Sequence, residues 1–142
     1  MDREVIGQKL ESLRRCLKRV ADKCPLNAET LGKEPDLQDI VTLNLTRAVQ
    51  LCVDLGSHIL SSLEIAPPDT MGAIFDALAG INLIEKTLAV RLKKAVGFRN
   101  VVVHEYESID WNIVYAIAQH HLHDFSEFAE AIVSYLENTS ST

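Results

Sequence analysis

Apolar residues recur at three- and four-residue spacing along most of this chain. Val5, Ile6, Leu10, Leu13, Leu17 and Val20 form one stripe over residues 3–23, predicting an amphipathic helix that stops at Pro25. A polar loop with Asn27, Gly32 and Pro35 follows. Asp36 is placed to cap a long second helix carrying Leu37, Ile40, Val41, Leu45, Val49, Cys52, Leu55 and Ile59, which ends before "APPD". The Pro67–Pro68 pair excludes a helix, and Asp69 or Thr70 starts a short one through "MGAIFDALA" that Gly80 breaks. "NLIEKTLAVRLKKAVGF" predicts a third long helix with Leu83, Ile84, Leu88, Val90, Leu92, Ala95 and Val96 inward. Asp110 caps a last one, "WNIVYAIAQHHLHDFSEFAEAIVSYLEN", and a Ser/Thr tail frays from about residue 138. No stretch alternates with period two for long enough to be a strand. The expected fold is all-α, an up-and-down bundle of four long helices and one short helix in a single domain over residues 1–142.

Composition narrows the setting. At 142 residues the chain can bury a substantial core. No apolar run approaches membrane-spanning length, and "MDREVIGQKLESLRRCLKRV" lacks the apolar region of a signal peptide. Cys16, Cys24 and Cys52 show no CxxC spacing and read as reduced thiols of a cytoplasmic protein. The net charge of −6 argues against a protein that coats nucleic acid over its whole surface. The charge is unevenly spread, however. Lys86, Arg91, Lys93, Lys94 and Arg99 fall in one run without an acid, Arg14, Arg15, Lys18, Arg19 and Lys23 cluster near the start, and no Lys or Arg follows Asn100. Solvated helix faces explain such runs as well as an anionic partner does.

The second run leads into "VGFRNVVVHEYESIDW", residues 96–111. Arginine is permanently charged and grips phosphate oxygens in pairs. Histidine titrates near neutral pH, so it can take a proton from a 2′-hydroxyl or give one to a leaving 5′-oxygen. Arg99 and His104 could therefore cleave RNA without a metal, with arginine stabilising the charge that builds on the phosphorane. Spacing alone is weak support. On a continuous helix the two would point about 140° apart, whereas Arg99 and Tyr106 would share a face. Gly97, three valines and "ESID" all weaken a helix here, which leaves the boundary open.

The segment "GFRNVVVHEY" resembles the signature of the HEPN superfamily, and its trailing tyrosine is similar to the HepT-like toxin branch. The likeness runs from "FDALAGINLIEKTLAVRLKKAVGFRNVVVHEY" through "IDWNIVYAIAQHHLHDF" and is fainter across "RAVQLCVDLGSHIL". The resemblance implies a metal-independent endoribonuclease toxin, in a toxin–antitoxin system like types II and VII, needing no cofactor. It gives Arg99 the phosphate and transition state, His104 general acid/base catalysis, and Asn100 the setting of that pair. It implies a homodimer whose motifs face each other across a two-fold axis. Single-stranded RNA would lie between them, with Arg91, Lys93 and Lys94 as backbone contacts. It also implies a minimal-nucleotidyltransferase antitoxin that transfers AMP onto Tyr106, placing negative charge beside Arg99.

Each residue has a plainer reading too. Arg99 could pair with Glu105, Glu107 or a carboxylate on another helix, His104 could be a core histidine, and Tyr106 a packing residue whose hydroxyl reaches water. Asp54, with Gln50 one turn before it, could orient His104 or simply face solvent. In "HHLH", His120 and His123 share a face, but no further ligand cluster accompanies them or His121, so no metal site is expected. Trp111 reads as a packing anchor. Two functional alternatives accompany the nuclease: a non-catalytic helical module that binds a nucleotidyltransferase or a nucleotide, and a plain interaction domain.

Overall fold

The computed structural model describes residues 1–140, all of its regular structure being helical. Helix α1 (Arg3–Lys23) begins at Asp2, whose carboxylate accepts the N–H groups of Glu4 and Val5. It buries Ile6, Leu13, Cys16 and Val20 against α3 (Pro35–Ser62). Each such side chain removed from water contributes roughly 1.5–3 kcal/mol. The stripe is therefore enough to dock a helix whose other face is charged.

Between them the expected polar loop holds a short helix, α2 (Ala28–Lys33). Asn27 caps it by accepting from Thr30 N–H, and Leu31 enters the core. Asp36 does not cap α3. Pro35 occupies the first helical turn, where its fixed φ and missing N–H cost nothing, so the helix starts before Asp36 and Glu34 takes the cap position.

Thr70 caps α4 (Met71–Gly80), its hydroxyl accepting from Ala73 N–H. This helix approaches α3 closely at Gly56, where a Cβ would come within 2.7 Å of Ile74 Cγ2 and 2.9 Å of Leu78 Cδ1. Helix α4 ends at Gly80 as expected, but the left-handed residue that turns the chain is Asn82, at φ 60°. Leu83 and Ile84 then belong to this turn, and α5 (Lys86–His104) starts after Glu85. Helix α5 packs on α4, α3 and α7 through Leu88, Ala89, Leu92 and Val96.

A one-turn 3-10 helix (Tyr106–Ser108) leads to α6 (Trp111–His120), capped by Asp110 through Asn112 N–H. The expected single last helix is broken at His121, and α7 (Leu122–Ser140) follows. Val114, Ala118, Phe125, Phe128 and Ile132 keep one helical phase across the break, so periodicity conceals it. Phe128 meets Phe75 edge-on, ring centroids 5.7 Å apart, tying α7 to α4 in one core. Helix α7 persists through the region expected to fray. The Arg3 guanidinium donates to Leu136 O and Thr139 Oγ1, both at 3.1 Å, while residues 141 and 142 lie outside the described residues. Among the described residues, no helix is long and apolar enough to cross a membrane.

Candidate active site at the end of α5

Helix α5 does not loosen at Gly97 or at the valines. It continues to His104, where Glu105 N–H still bonds to Val101 O at 2.8 Å. Arg99 and His104 therefore keep their helical register and point about 140° apart on one chain. Sequence left this boundary open because Gly and β-branched residues each lower helix propensity by under about 1 kcal/mol, which tertiary packing overrides.

Arg99 is half-buried and His104 exposed. Nη1 of Arg99 donates to Oδ1 of Asn100 at 3.2 Å, the neighbour expected to set it. Among the described residues no carboxylate joins them: Arg99 makes no ion pair with Glu105, Glu107 or a carboxylate on another helix, and His104 is exposed, not a core histidine. Both plainer readings fail.

Tyr106 leaves the helix and turns back across the bundle. Its hydroxyl donates to Oδ1 of Asp39, on α3, at 2.8 Å, and its ring lies edge-on to Trp111 at 6.1 Å. Burial, then the Asp39 carboxylate, push the phenol above its usual value of 10.0, while the Thr42 hydroxyl pulls the other way. Trp111 is the packing anchor its position suggested. Asp39 escaped sequence reasoning entirely. It stands 67 residues from Tyr106, and no local pattern links them.

The basic run on α5 divides in two. Nε of Arg91 donates to Oδ1 of buried Asp124 at 2.8 Å and Nη2 to Oε2 of Glu127 at 3.1 Å, while Nζ of Lys93 donates to Oδ2 of Asp76 at 2.9 Å. Lys94 is exposed and holds no carboxylate. Arg15 and Arg19 of α1 meet Arg47 of α3 along a cleft of about 460 Å³, and none of the three has an ion pair among the described residues. Sequence marked the first two by charge but not Arg47.

Asp54 does not reach His104. It lies in that same cleft, 3.7 Å from Nζ of Lys9, accepting from Nε2 of Gln50 at 2.9 Å, because its side of α3 faces α1. The histidines also rearrange. The break at His121 stacks its ring on that of His123 with centroids 6.4 Å apart, and both approach Asp124. That break interrupts the single helix expected to carry His120 and His123 on one face. Among the described residues, no three His, Cys, Asp or Glu side chains are grouped to hold a metal ion.

Beside the motif, an apolar groove of about 630 Å³ runs between α3, α5 and α6, lined by Leu45, Val49, Phe98, Val101, Ile113 and Ile117 among others. Val103 and Ile113 are themselves exposed. Arg99 with Asn100, an exposed His104 and a tethered Tyr106 lie at this helix end outside the packed core.

Known proteins share this chain's sequence and fold. The Ribonuclease HepT-like family model matches residues 11–132, which contain the whole site. The chain is 36% identical over 129 residues to the mRNA nuclease HepT of Shewanella oneidensis, covering 91% of this chain and 96% of that protein. It is 31% identical over 100 residues to the tRNA nuclease HepT of Aphanizomenon flos-aquae, covering 70% and 68%. In three dimensions it matches the tri-AMPylated HEPN toxin of Shewanella oneidensis, solved in complex with its MNT antitoxin. The TM-score is 0.87 at 35% identity over 94% of this chain and 99% of that one. Sequence and fold agree over nearly the full length, and the chain belongs to the Ribonuclease HepT-like family.

Proposed function

We propose that this chain is the toxin of a toxin–antitoxin pair, a cytoplasmic endoribonuclease that cuts single-stranded RNA without a metal. The observation that carries the reading is Arg99. In a chain with 20 Asp and Glu residues the half-buried Arg99 holds no carboxylate among the described residues, and an exposed histidine stands five residues on. An unpaired cation in such a chain is available to a phosphate.

The chemistry follows from the two side chains. His104 removes the proton from a ribose 2′-hydroxyl, whose oxygen attacks the adjacent phosphorus and forms a cyclic phosphate as the 5′-oxygen leaves with a proton. Arg99 neutralises the charge building on the phosphorane oxygens, and Asn100 orients it. Because the two residues diverge on one helix end, the working site is composite, built by two copies facing each other across a two-fold axis. The exposed apolar side chains beside the motif support that pairing. Lys94 is the backbone contact whose charge is free. Arg91 and Lys93 would reach RNA only by releasing their carboxylates.

Neutralisation comes from a minimal nucleotidyltransferase that adds AMP to Tyr106. The relative solved in AMPylated form with its antitoxin supports this part. A Tyr106→Phe chain should keep cutting RNA and escape that modification, read as cleavage and intact mass after incubation with the transferase and ATP.

The decisive experiment is cleavage of RNA in EDTA by the wild type, Arg99→Ala and His104→Ala, with intact mass recorded to establish that no adduct is present. Cutting by the wild type alone establishes the pair as a metal-free site. Phosphate-dependent RNA binding without cutting by an unmodified wild type would make the chain a binding module instead.

A further inference from the structure

Asp39 holds the hydroxyl of Tyr106, and among the described residues its carboxylate has no other hydrogen-bond partner. Its carboxylate forms no ion pair among the described residues, although nine Lys or Arg side chains lie on the flanking helices α1 and α3 and in α2. The bond to Tyr106 Oη is short, at 2.8 Å, and directed, with the phenol as donor. The nearby Thr42 hydroxyl gives its own proton to Gln38 O at 2.7 Å, and the charged carboxylate of Asp39 is the stronger acceptor for the phenolic proton.

Resting on the reading of Tyr106 as the AMP acceptor, we propose that Asp39 is the general base of that transfer, supplied by the acceptor chain rather than by the transferase. The phenolic oxygen bonds to the α-phosphorus of a nucleoside triphosphate held by the transferase. The bond from that phosphorus to the bridging oxygen breaks and pyrophosphate leaves. The phenolic proton passes to Oδ1 of Asp39 and from there to water. No redox change occurs, and one proton, one nucleotidyl group and one pyrophosphate balance the step.

Two features make a base at this position necessary rather than incidental. Burial and the neighbouring carboxylate keep the phenol protonated well into the alkaline range, so free phenolate is scarce at neutral pH. The nucleophile must then lose its proton as the bond to phosphorus forms, to a group within hydrogen-bond reach. Asp39 is the carboxylate found there. Once AMP is attached, its phosphodiester charge repels the same carboxylate, which drives the modified side chain away from α3.

The test uses the full chain as wild type, Asp39→Asn and Asp39→Glu, a minimal-nucleotidyltransferase antitoxin, magnesium and ATP, with AMP addition followed by intact mass. Asn preserves size and hydrogen bonding but cannot take the proton. The maximal transfer rate should fall about a hundredfold in Asp39→Asn. The chain concentration giving half that rate should change little, and Asp39→Glu should recover much of the loss. Unchanged melting midpoints establish that all variants are folded. An Asp39→Asn rate equal to the wild type overturns the proposal, as does a loss expressed only as weaker half-saturation, which would make Asp39 a docking contact. A wild type that starts unmodified and takes up no AMP overturns the acceptor reading itself, and the assignment with it.

Discussion

The two ends of α5 use the same kinds of residue for opposite purposes. In its first half Leu88, Ala89, Leu92 and Val96 are buried, Arg91 joins the buried Asp124 of α7, and Lys93 joins Asp76 of α4. In its last turns the half-buried Arg99 has only Asn100 for a hydrogen-bond partner among the described residues, and His104 closes the helix exposed. Both halves read as basic in the sequence. Arg91 and Lys93 spend their charge on carboxylates whereas Arg99, like the exposed Lys94, does not, so available charge, not charge itself, separates a binding residue from a structural one.

Removing the motif should break the comparison most sharply. Arg99→Ala or His104→Ala should each lower RNA cleavage about 10²–10⁴-fold, the range for losing a positioned proton donor or acceptor. Exposed His104→Ala should shift stability by no more than about 0.5 kcal/mol and half-buried Arg99→Ala by no more than about 1 kcal/mol, because neither side chain is in the core or joined to a carboxylate among the described residues. Cleavage assays beside urea unfolding would decide. A motif variant that unfolds early would make this end structural after all.

The opposite outcome is expected one helical stretch earlier. Leu92 is fully buried, and Leu92→Ala should cost about 2–5 kcal/mol in urea unfolding, transfer and cavity terms together. Cleavage per folded molecule should stay near wild type. Arg91→Ala ranks next. It strips the partner from Asp124, whose side chain is only 7% exposed, while Arg91 itself is 36% exposed, so water relieves part of the damage. A loss of about 1–3 kcal/mol follows for a charged group left without its hydrogen bond. Lys93→Ala, removing an exposed pair, should cost under about 1 kcal/mol. If Arg91→Ala proved as mild as Lys93→Ala, the division of the basic run would lose its energetic basis.

How far the sequence announced all this depends on the range of each interaction. Helix stripes and local caps such as Thr70 and Asp110 are written within a few residues, and the structure follows them. Short α2 contributes a single buried leucine, too little for periodicity to register. The break at His121 keeps the apolar phase and has neither Gly nor Pro at it, so nothing marks it. The motif residues stood out by type and by resemblance, yet the commitment of Arg91 to residues 33 and 36 positions away is a tertiary fact. Asp39 is the clearest case. As one carboxylate among many on a polar helix turn, it acquires a role only when the chain brings Tyr106 to it.

That pairing supplies the smallest effect and the finest probe. Burial and Asp39 raise the Tyr106 phenol above 10.0, so the folded chain holds this proton more tightly than the unfolded chain does. The associated stability is complete at pH values below 10 and is lost as pH rises through the raised value. Absorbance titration of the wild type minus Tyr106→Phe isolates this phenol from the other two of the chain's three tyrosines, and should place its transition above 10. Tyr106→Phe should correspondingly lose less stability than the wild type at alkaline pH. Asp39→Asn removes the carboxylate but not the burial, which is the larger cause, so the transition should fall only part of the way back. A full return to the ordinary value would assign the whole shift to Asp39. No movement at all would mean that the hydrogen bond to α3 does not persist in solution.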